Sequence, residues 1–241
     1  MFSANGREVA RSNVKSEINR PCDSVISELR GLVSFKVTRN YPRGAILFAD
    51  GQRSHGLHVL CEGRAKVSIA SEDGKTLLLR IAQPGELLGL NAVLTGKNYS
   101  TTVETIEPAR VDFIARADLM RLLERDRQFS VNLAQALSHE MGSLVEHARL
   151  LLLSQSAPHK LARLLLRWCE DHGKRTANGT RIDAGLTHEE IGQLICSSRE
   201  TVTRAFAEFK RKHLISLAGS SIFINRKALE GMVRGLETKA V

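Results

Sequence analysis

The sequence predicts an α+β chain in which a β-rich half precedes a helical half with a small β wing. Three observations support this order. Short apolar segments separated by turn residues occupy residues 33–115, and a heptad repeat of apolar residues follows them. A helix, a tight turn and a second helix are then indicated between Leu186 and Ile215. We therefore expect a β domain, a long connecting helix and a C-terminal helical domain.

Composition and length describe an ordinary globular chain. The 241 residues are 42% hydrophobic and 25% charged, and this length suffices for two modest domains with their own cores. No apolar run reaches the roughly 18 residues of a membrane span. Residues 1–24 are polar and lack the apolar core of a secretory signal, so we expect an N-terminal tail there.

The positive charge is concentrated near the C-terminus. The net charge is +9 in total, and the residues from Ser154 onward carry 15 Lys and Arg against 9 Asp and Glu. The longer preceding part carries 20 against 17. Such an uneven distribution is typical of a domain that binds nucleic acid, although an acidic lipid surface attracts the same charge.

The cysteines and the other reactive side chains argue against several classes of site. Cys22, Cys61, Cys169 and Cys196 are widely spaced and form no Cys-x-x-Cys pair, which favours reduced thiols in a cytoplasm. The sequence contains no metal-ligand spacing and no recognisable nucleophile-and-base pair. We therefore expect neither an enzyme nor a metal site.

The β-rich half shows turn signals at a regular spacing. They stand at Asp50-Gly51, Glu62-Gly63, Glu72-Asp73-Gly74 and Gln83-Pro84-Gly85, mostly about ten residues apart. Between them the segments 57–60 and 65–69 have strand character. Regular short strands without intervening helices predict a sandwich or a barrel.

A heptad seam marks the long helix at about 127–153. Its members step by three and four residues: Ala134, Leu137, Met141, Leu144, Ala148 and Leu151. A seam of nearly three repeats favours a parallel coiled-coil dimer, while packing of the helix on its own β domain is the alternative. The segment Ser154–Pro158 interrupts the pattern and predicts a hinge.

The helix pair that follows has clear boundaries and clear faces. Thr187 and Glu190 form a Thr-x-x-Glu capping box that can begin the first helix. The inward positions of the two helices follow helical spacing: Ile191, Leu194 and Ile195, then Val202, Phe206 and Phe209. Leu214–Leu217 and Ile222–Ile224 then predict a small β wing, and 226–236 a short final helix.

The outward face of the second helix carries Arg199, Glu200, Thr203 and Arg204. Arginine can donate two hydrogen bonds to guanine, and glutamate can accept one from cytosine. Neighbouring serine and threonine hydroxyls can bind phosphate. The alternative is an ordinary surface, in which Glu200 closes a capping box with Ser197 and pairs with Arg204.

The segment EEIGQLICSSRETVTRAF resembles the helix-turn-helix of the CRP/FNR family of bacterial transcription regulators. The run Ser198–Val202 followed by Arg204 is similar to the recognition helix of the CRP branch. This resemblance implies a homodimer on a palindromic TGTGA-like site, with Arg199 and Arg204 on guanines and Glu200 on a cytosine. We also expect DNA contacts from Thr187, His188, Ser198, Thr201 and Thr203. One departure is Cys196, which stands where the family usually has glycine in the turn.

The N-terminal half resembles the same family. The segments YPRGAILFADGQ, LHVLCEGRAKVSI and GKTLLLRIAQPGELLG are similar to its double-stranded β-helix, a jelly-roll-like fold that binds cyclic nucleotides in some members. The resemblance covers roughly 25–225 and implies double-stranded DNA and RNA polymerase as partners. It divides the chain into a tail (1–24), a sensor β domain (25–125), a dimerisation helix (126–153) and a winged helix-turn-helix domain (154–241).

The effector site departs most from the family. Where nucleotide-binding members have Gly-Glu and Arg-Ser pairs, the alignment places Gly89-Leu90 and Ser100-Thr101, and where a helix hydroxyl touches adenine it places Leu144 and Val145. A phosphodiester without its arginine loses its main charge partner. Control by cyclic AMP in the usual way is therefore not expected.

Other family cofactors find little support. Members of the FNR branch hold an iron–sulfur cluster through closely spaced N-terminal cysteines, whereas only Cys22 stands in that region here. Haem is compatible with His55, His58, His139 or His147 as ligands but is not indicated by them. The signal therefore stays open. The competing functional class is a ligand-sensing regulatory protein that acts through its β domain without binding DNA.

Overall fold

The computed structural model describes residues 36–154, 156–171, 173–219 and 221–237. These residues form two compact units, one of residues 36–74 and 80–140 and the other of residues 75–79 and those from 141 onward. The predicted tail at 1–24 and Cys22 lie outside the described residues. Among the described helices, none combines the length and the apolar character needed to cross a membrane.

The first unit is built on antiparallel strands. They are β1 (Lys36–Tyr41), β2 (Ile46–Phe48), β3 (Gly56–Glu62), β4 (Ala65–Ala70), β5 (Thr76–Ala82), β6 (Leu87–Leu88), β7 (Thr102–Thr105) and β8 (Ala109–Ala115). They form two four-stranded sheets with the orders β1-β8-β3-β6 and β2-β7-β4-β5. The core draws on both sheets, with Leu57 and Val59 from one and Ala65 and Val103 from the other. This arrangement confirms the predicted jelly-roll-like class.

This unit also contains two helices, and the first of them lies where only strands were predicted. The expectation of strands without intervening helices was wrong, because α1 (Leu90–Thr95) lies between β6 and β7. Gly89 and Gly96 bracket this helix in left-handed conformations, with φ of 80° and 69°, and so set its two ends. Helix α2 (Arg116–Arg125) follows the last strand.

The long helix α3 (Arg127–Leu153) matches the predicted one. Phe129 and Leu133 on its first turns are buried in the core of the first unit. Farther along, Leu150 is buried, whereas Leu152 and Leu153 are exposed. The start of this helix therefore belongs to the core of the first unit.

The second unit contains the predicted helix pair and its wing. Its elements are α4 (Ala157–Asp171), β9 (Lys174–Thr176), β10 (Gly179–Ile182), α5 (His188–Leu194), α6 (Arg199–Arg211), β11 (Ile215–Ala218), β12 (Ser221–Ile224) and α7 (Arg226–Glu237). The strands form one antiparallel sheet in the order β11-β12-β10-β9. Helix α4 packs against α6 and α7, and its Leu161 and Leu165 are fully buried. The α+β class is thus confirmed.

The cysteines differ from one another. Among the described ones, Cys169 is buried and Cys196 is exposed, and both are free. Burial raises the pKa of the Cys169 thiol to about 11. Cys61 is disulfide-bonded. The expectation of reduced thiols was therefore wrong for Cys61.

Candidate nucleic-acid interface

Helix α5 begins with the predicted capping box. The Thr187 hydroxyl accepts a hydrogen bond from the Glu190 backbone N–H at 3.2 Å. In return, the Glu190 carboxylate accepts one from the Thr187 N–H at 2.8 Å. These two bonds satisfy two of the backbone donors that every helix start leaves open, and they hold the first turn of α5 in place.

The turn between the two helices depends on two unusual backbone positions. Cys196 adopts a left-handed conformation with φ of 51°. A Cβ atom on Gly192 would lie 2.5 Å from the Ser197 carbonyl oxygen, so the close approach of the chain there requires glycine. The Ser197 N–H donates to the Gly192 carbonyl oxygen at 2.9 Å. This hydrogen bond closes the turn, although residue 196 is a cysteine and not a glycine.

Helix α6 begins at a serine cap and packs through its predicted inward face. The Ser198 hydroxyl accepts from the Thr201 N–H at 3.3 Å. Val202, Phe206 and Phe209 are buried, as their spacing predicted. The alternative capping box of Ser197 with Glu200 is not the cap that forms, because the cap residue is Ser198.

The opposite face of α6 is open to solvent and carries the predicted base-contacting side chains. Arg199, Glu200, Thr203 and Arg204 are all exposed. The pKa of the Glu200 carboxyl is lowered, chiefly by a hydrogen bond from its own backbone N–H and then by the Ser198 hydroxyl and the charges of the two arginines. Glu200 is therefore an ionised acceptor between two permanent donors.

A tertiary contact joins the two helices at this face. The Nδ1 atom of His188 on α5 lies 2.9 Å from the hydroxyl oxygen of Thr203 on α6. The His188 ring stacks on Phe206, with ring centroids 4.8 Å apart. The Thr203 hydroxyl donates to the Arg199 carbonyl oxygen at 2.9 Å. Sequence reasoning named His188 and Thr203 as separate DNA contacts and missed this link.

The remaining predicted DNA contacts lie at the two helix starts. The Thr187 hydroxyl also lies 3.0 Å from the Glu190 carboxylate, to which it donates. The hydroxyls of Ser198 and Thr201 are 3.1 Å apart, and Arg204 donates to the Thr201 hydroxyl at 3.3 Å. The hydroxyls of Ser198 and Thr201 thus form one polar network with Arg204, a predicted base contact.

The predicted effector residues of the first unit differ in their burial. Leu90 is 2% exposed, Ser100 is exposed and Thr101 is half-buried. Tyr99, which precedes Ser100, is 3% exposed. A Cβ atom on Gly89 would lie 2.5 Å from the Tyr99 ring. An apolar ring thus lies against Gly89, the glycine of the predicted effector site.

A buried histidine borders the same rings. His58 packs against Phe48 and Phe113, with centroid distances of 5.2 and 5.1 Å. Burial first, and the charge of Arg39 second, lower its pKa to about 4. Its Nδ1 atom has no hydrogen-bond partner among the described residues. In that part of the chain, no three His, Cys, Asp or Glu side chains gather as metal ligands would.

The helix α3 presents the predicted dimer seam. Met141 is 69% exposed and Leu144 is 44% exposed. Ala134 and Ala148 are also exposed, whereas Leu137 and Leu151 are half-buried. Val145, which the effector alignment paired with Leu144, is 45% exposed. This face of α3 is therefore apolar and largely uncovered in the single chain.

Comparison with known families matches both halves. Residues 38–126 match the model of the cyclic nucleotide-binding domain, and residues 159–232 match that of the Crp-like helix-turn-helix domain. A relative called CRP-like cAMP-activated global transcriptional regulator, from Mycobacterium tuberculosis, is 29% identical over 77% of this chain and 83% of its own. The anaerobic regulatory protein of Bacillus subtilis is 25% identical over 86% of this chain and 89% of its own.

Solved structures show the same fold. A CRP-family transcriptional regulator from Thermus thermophilus has a TM-score of 0.68 and 25% identity, covering 81% of this chain and 96% of that one. FixK2 from Bradyrhizobium japonicum has a TM-score of 0.72 at 19% identity, with the same two coverages. Both halves of the chain thus have relatives in one class of protein.

Proposed function

Because the chain belongs to the CRP/FNR family of DNA-binding transcription regulators, we propose that it binds a palindromic TGTGA-like site as a homodimer. We further propose that cyclic AMP does not control it in the usual way. The domain boundaries follow the sequence: a sensor at 25–125, a dimerisation helix at 126–153 and a winged helix-turn-helix at 154–241. RNA polymerase is the proposed protein partner, and the cytoplasm, where bacterial DNA lies, is the proposed location.

One observation carries the half-site proposal. The exposed face of α6 presents Arg199, Glu200 and Arg204 within a turn and a half of its N-terminus. In this proposal the two arginines each donate to the O6 and N7 atoms of a guanine, and Glu200 accepts from the N4 group of a cytosine. The ionised state of Glu200 supports this role, since an acceptor is what cytosine N4 needs.

The hydroxyl residues at the helix starts have a different proposed role. Thr187, Ser198 and Thr201 would bind phosphate oxygens and fix α6 in the groove without distinguishing bases. To do so, the Thr187 hydroxyl would turn its proton from the Glu190 carboxylate to the phosphate. Replacing Ser198 or Thr201 by alanine should then weaken binding to all duplexes alike. Replacing Arg199 or Arg204 should instead relax preference at one base pair of each half-site.

A selection from random duplexes tests the function directly. The purified chain is expected to enrich a two-fold symmetric sequence whose half-site centres lie about one helical turn apart. Enrichment of single, unpaired half-sites would contradict the dimer. Recovery of unselected sequences with a steep salt dependence would leave only non-specific phosphate binding and contradict the regulator proposal.

The effector proposal is supported by Leu90 and Tyr99. Leu90 replaces the family's glutamate and is buried, and the Tyr99 ring occupies apolar space beside Gly89. A charged cyclic phosphate there would lose its water without gaining an arginine partner. The Mycobacterium tuberculosis relative is named as cAMP-activated. Binding of cyclic nucleotides to this chain should therefore be measured directly. Calorimetry with cyclic AMP and cyclic GMP should give no heat of binding, and micromolar binding of either nucleotide would overturn the proposal.

A further inference from the structure

The hydroxyl of Thr203 is engaged on both sides. Its single proton points to the Arg199 carbonyl oxygen, 2.9 Å away. With that proton on the Arg199 carbonyl, the oxygen is available to accept from His188 Nδ1, 2.9 Å away, when that ring nitrogen carries a proton. The Thr203 side chain thus keeps only its methyl group free of an internal hydrogen bond.

The position of this methyl group is fixed from the core. A threonine in a helix divides between two side-chain rotamers, and the bond to the carbonyl four residues earlier selects one of them. His188 adds a second bond to the same rotamer. The histidine is itself held by its stacking on Phe206, which is 3% exposed. A buried aromatic ring therefore orients an exposed side chain on the base-contacting face.

A phosphate contact by Thr203 conflicts with these bonds. Phosphate oxygens only accept hydrogen bonds, so the hydroxyl would have to turn its one proton away from Arg199. A contact through the methyl group breaks no bond. In the major groove the apolar feature of a base edge is the C5-methyl group of thymine, and threonine methyl groups pack against it.

We propose that Thr203 recognises a thymine methyl group in each half-site and that His188 is the positioning residue that holds it. This inference rests on the proposed DNA-binding function and adds one specificity determinant to it. Thr203 directly precedes Arg204 and lies one helical turn after Arg199. The thymine it contacts should therefore lie between, or next to, the two guanines assigned to those arginines.

The test replaces thymine by uracil, which has the same hydrogen-bonding edge but lacks the methyl group. The selected duplex is made with one thymine replaced at a time in both half-sites, and affinities are measured by fluorescence anisotropy at fixed salt. For the unaltered protein, one substitution should weaken binding about fourfold per half-site, the effect of one buried methyl group. The other uracil substitutions should have less effect.

Three variants test whether the Thr203 side chain causes that loss of affinity. Thr203→Ser keeps both hydrogen bonds and lacks the methyl group, so it should bind the thymine and uracil duplexes equally. Thr203→Val keeps methyl groups and lacks the hydroxyl, so it should retain a preference for thymine. His188→Phe keeps the aromatic stack but not the donor, and should reduce the preference. Thr176→Ser, the same change at an exposed position of β9 and not on α6, is the control and should keep the original profile.

The outcomes separate the inference from the function it rests on. If Thr203→Ser still discriminates between thymine and uracil, or if no thymine in the site is sensitive, the inference is overturned while specific binding stands. If no sequence is selected at all, the DNA proposal falls and this inference with it. Thermal unfolding of each variant shows whether it is folded, and Thr203→Ser alone decides the result if Thr203→Val is not.

Discussion

The ring of Tyr99 stacks on the ring of Phe48, with centroids 3.9 Å apart and an angle of 19° between the planes. The hydroxyl of the same tyrosine donates to the Gly56 carbonyl oxygen at 2.5 Å. One side chain therefore combines an aromatic contact with a buried hydrogen bond in the core of the first unit. Tyr99 directly precedes Ser100 and Thr101, which align with the phosphate-binding residues of the family. The same side chain therefore bears on the stability of this unit and on its predicted effector site.

Removing this ring should be costly. Tyr99→Ala is expected to lower the free energy of unfolding by about 3–5 kcal/mol, as for other large aromatic residues in cores. Tyr99→Phe should cost only about 1 kcal/mol, because the ring remains and the hydrogen bond to Gly56 is lost. Urea unfolding measures both. Equal losses for the two variants would show that the hydroxyl, and not the stacked ring, dominates.

Buried His58 should make stability depend on pH. Its pKa of about 4 lies below the ordinary value of 6.5, so between these values the unfolded chain binds a proton more readily than the folded one. Protonation of His58 should not affect the free energy of unfolding above pH 6.5. As the pH decreases from 6.5 toward 4, the free energy of unfolding should fall by up to about 3 kcal/mol. Unfolding free energies at several pH values measure this slope.

His58→Phe provides the comparison, because phenylalanine fits among the neighbouring rings and does not titrate. Its unfolding free energy should decrease less between pH 6.5 and 4 than that of the unaltered protein. Substitution of the exposed His55 by alanine serves as the control and should leave the profile unchanged. Identical slopes for His58→Phe and the unaltered protein would place the pH dependence elsewhere.

Replacing Cys196 by glycine should stabilise the protein, because residue 196 has a left-handed backbone conformation. A residue with a Cβ atom in the left-handed region costs about 1–2 kcal/mol, and glycine avoids this cost. Cys196→Gly is therefore expected to raise the unfolding free energy by about 1 kcal/mol, after the larger entropy loss of glycine is subtracted. Cys196→Ala removes the thiol without relieving the backbone and should give no gain. A gain for alanine equal to that for glycine would assign the effect to the thiol.

The uncovered seam of α3 should control the oligomeric state. A charge at Met141 or Leu144 would be buried without a partner in a coiled-coil dimer. Met141→Glu is expected to shift the protein to monomers in sedimentation equilibrium and to weaken binding to a palindrome far more than to a half-site. Gln135→Glu places the same charge on an exposed position outside the seam and should leave the dimer intact. A dimeric Met141→Glu variant would contradict the proposed interface.

Loss of one of the arginines proposed to contact bases should change sequence preference locally. Arg199→Ala is expected to weaken specific binding by about 1–3 kcal/mol and to relax preference at one base pair per half-site. Binding to unrelated DNA should change little beyond the loss of one charge. Selection profiles of the variant and the unaltered protein give the comparison. A uniform weakening without a change in base preference would assign Arg199 to the phosphate backbone instead.

Features that depend on neighbouring residues could be predicted from the amino-acid sequence. The capping box of Thr187 and Glu190 joins residues three apart, and the buried face of α6 follows from helical spacing. The heptad on α3 and the wing after α6 were predicted in the same way. Such features are visible in a sequence because backbone geometry alone places their members side by side.

Contacts between residues far apart in the chain could not be predicted in this way. His188 and Thr203 are 15 residues apart and meet because the turn at Cys196 brings α5 across α6. Tyr99 meets Phe48 through the pairing of strands, and α1 forms in a region that its composition had assigned to strands. No local rule encodes these contacts, because side-chain positions across a core depend on how all the packed elements fit together at close density.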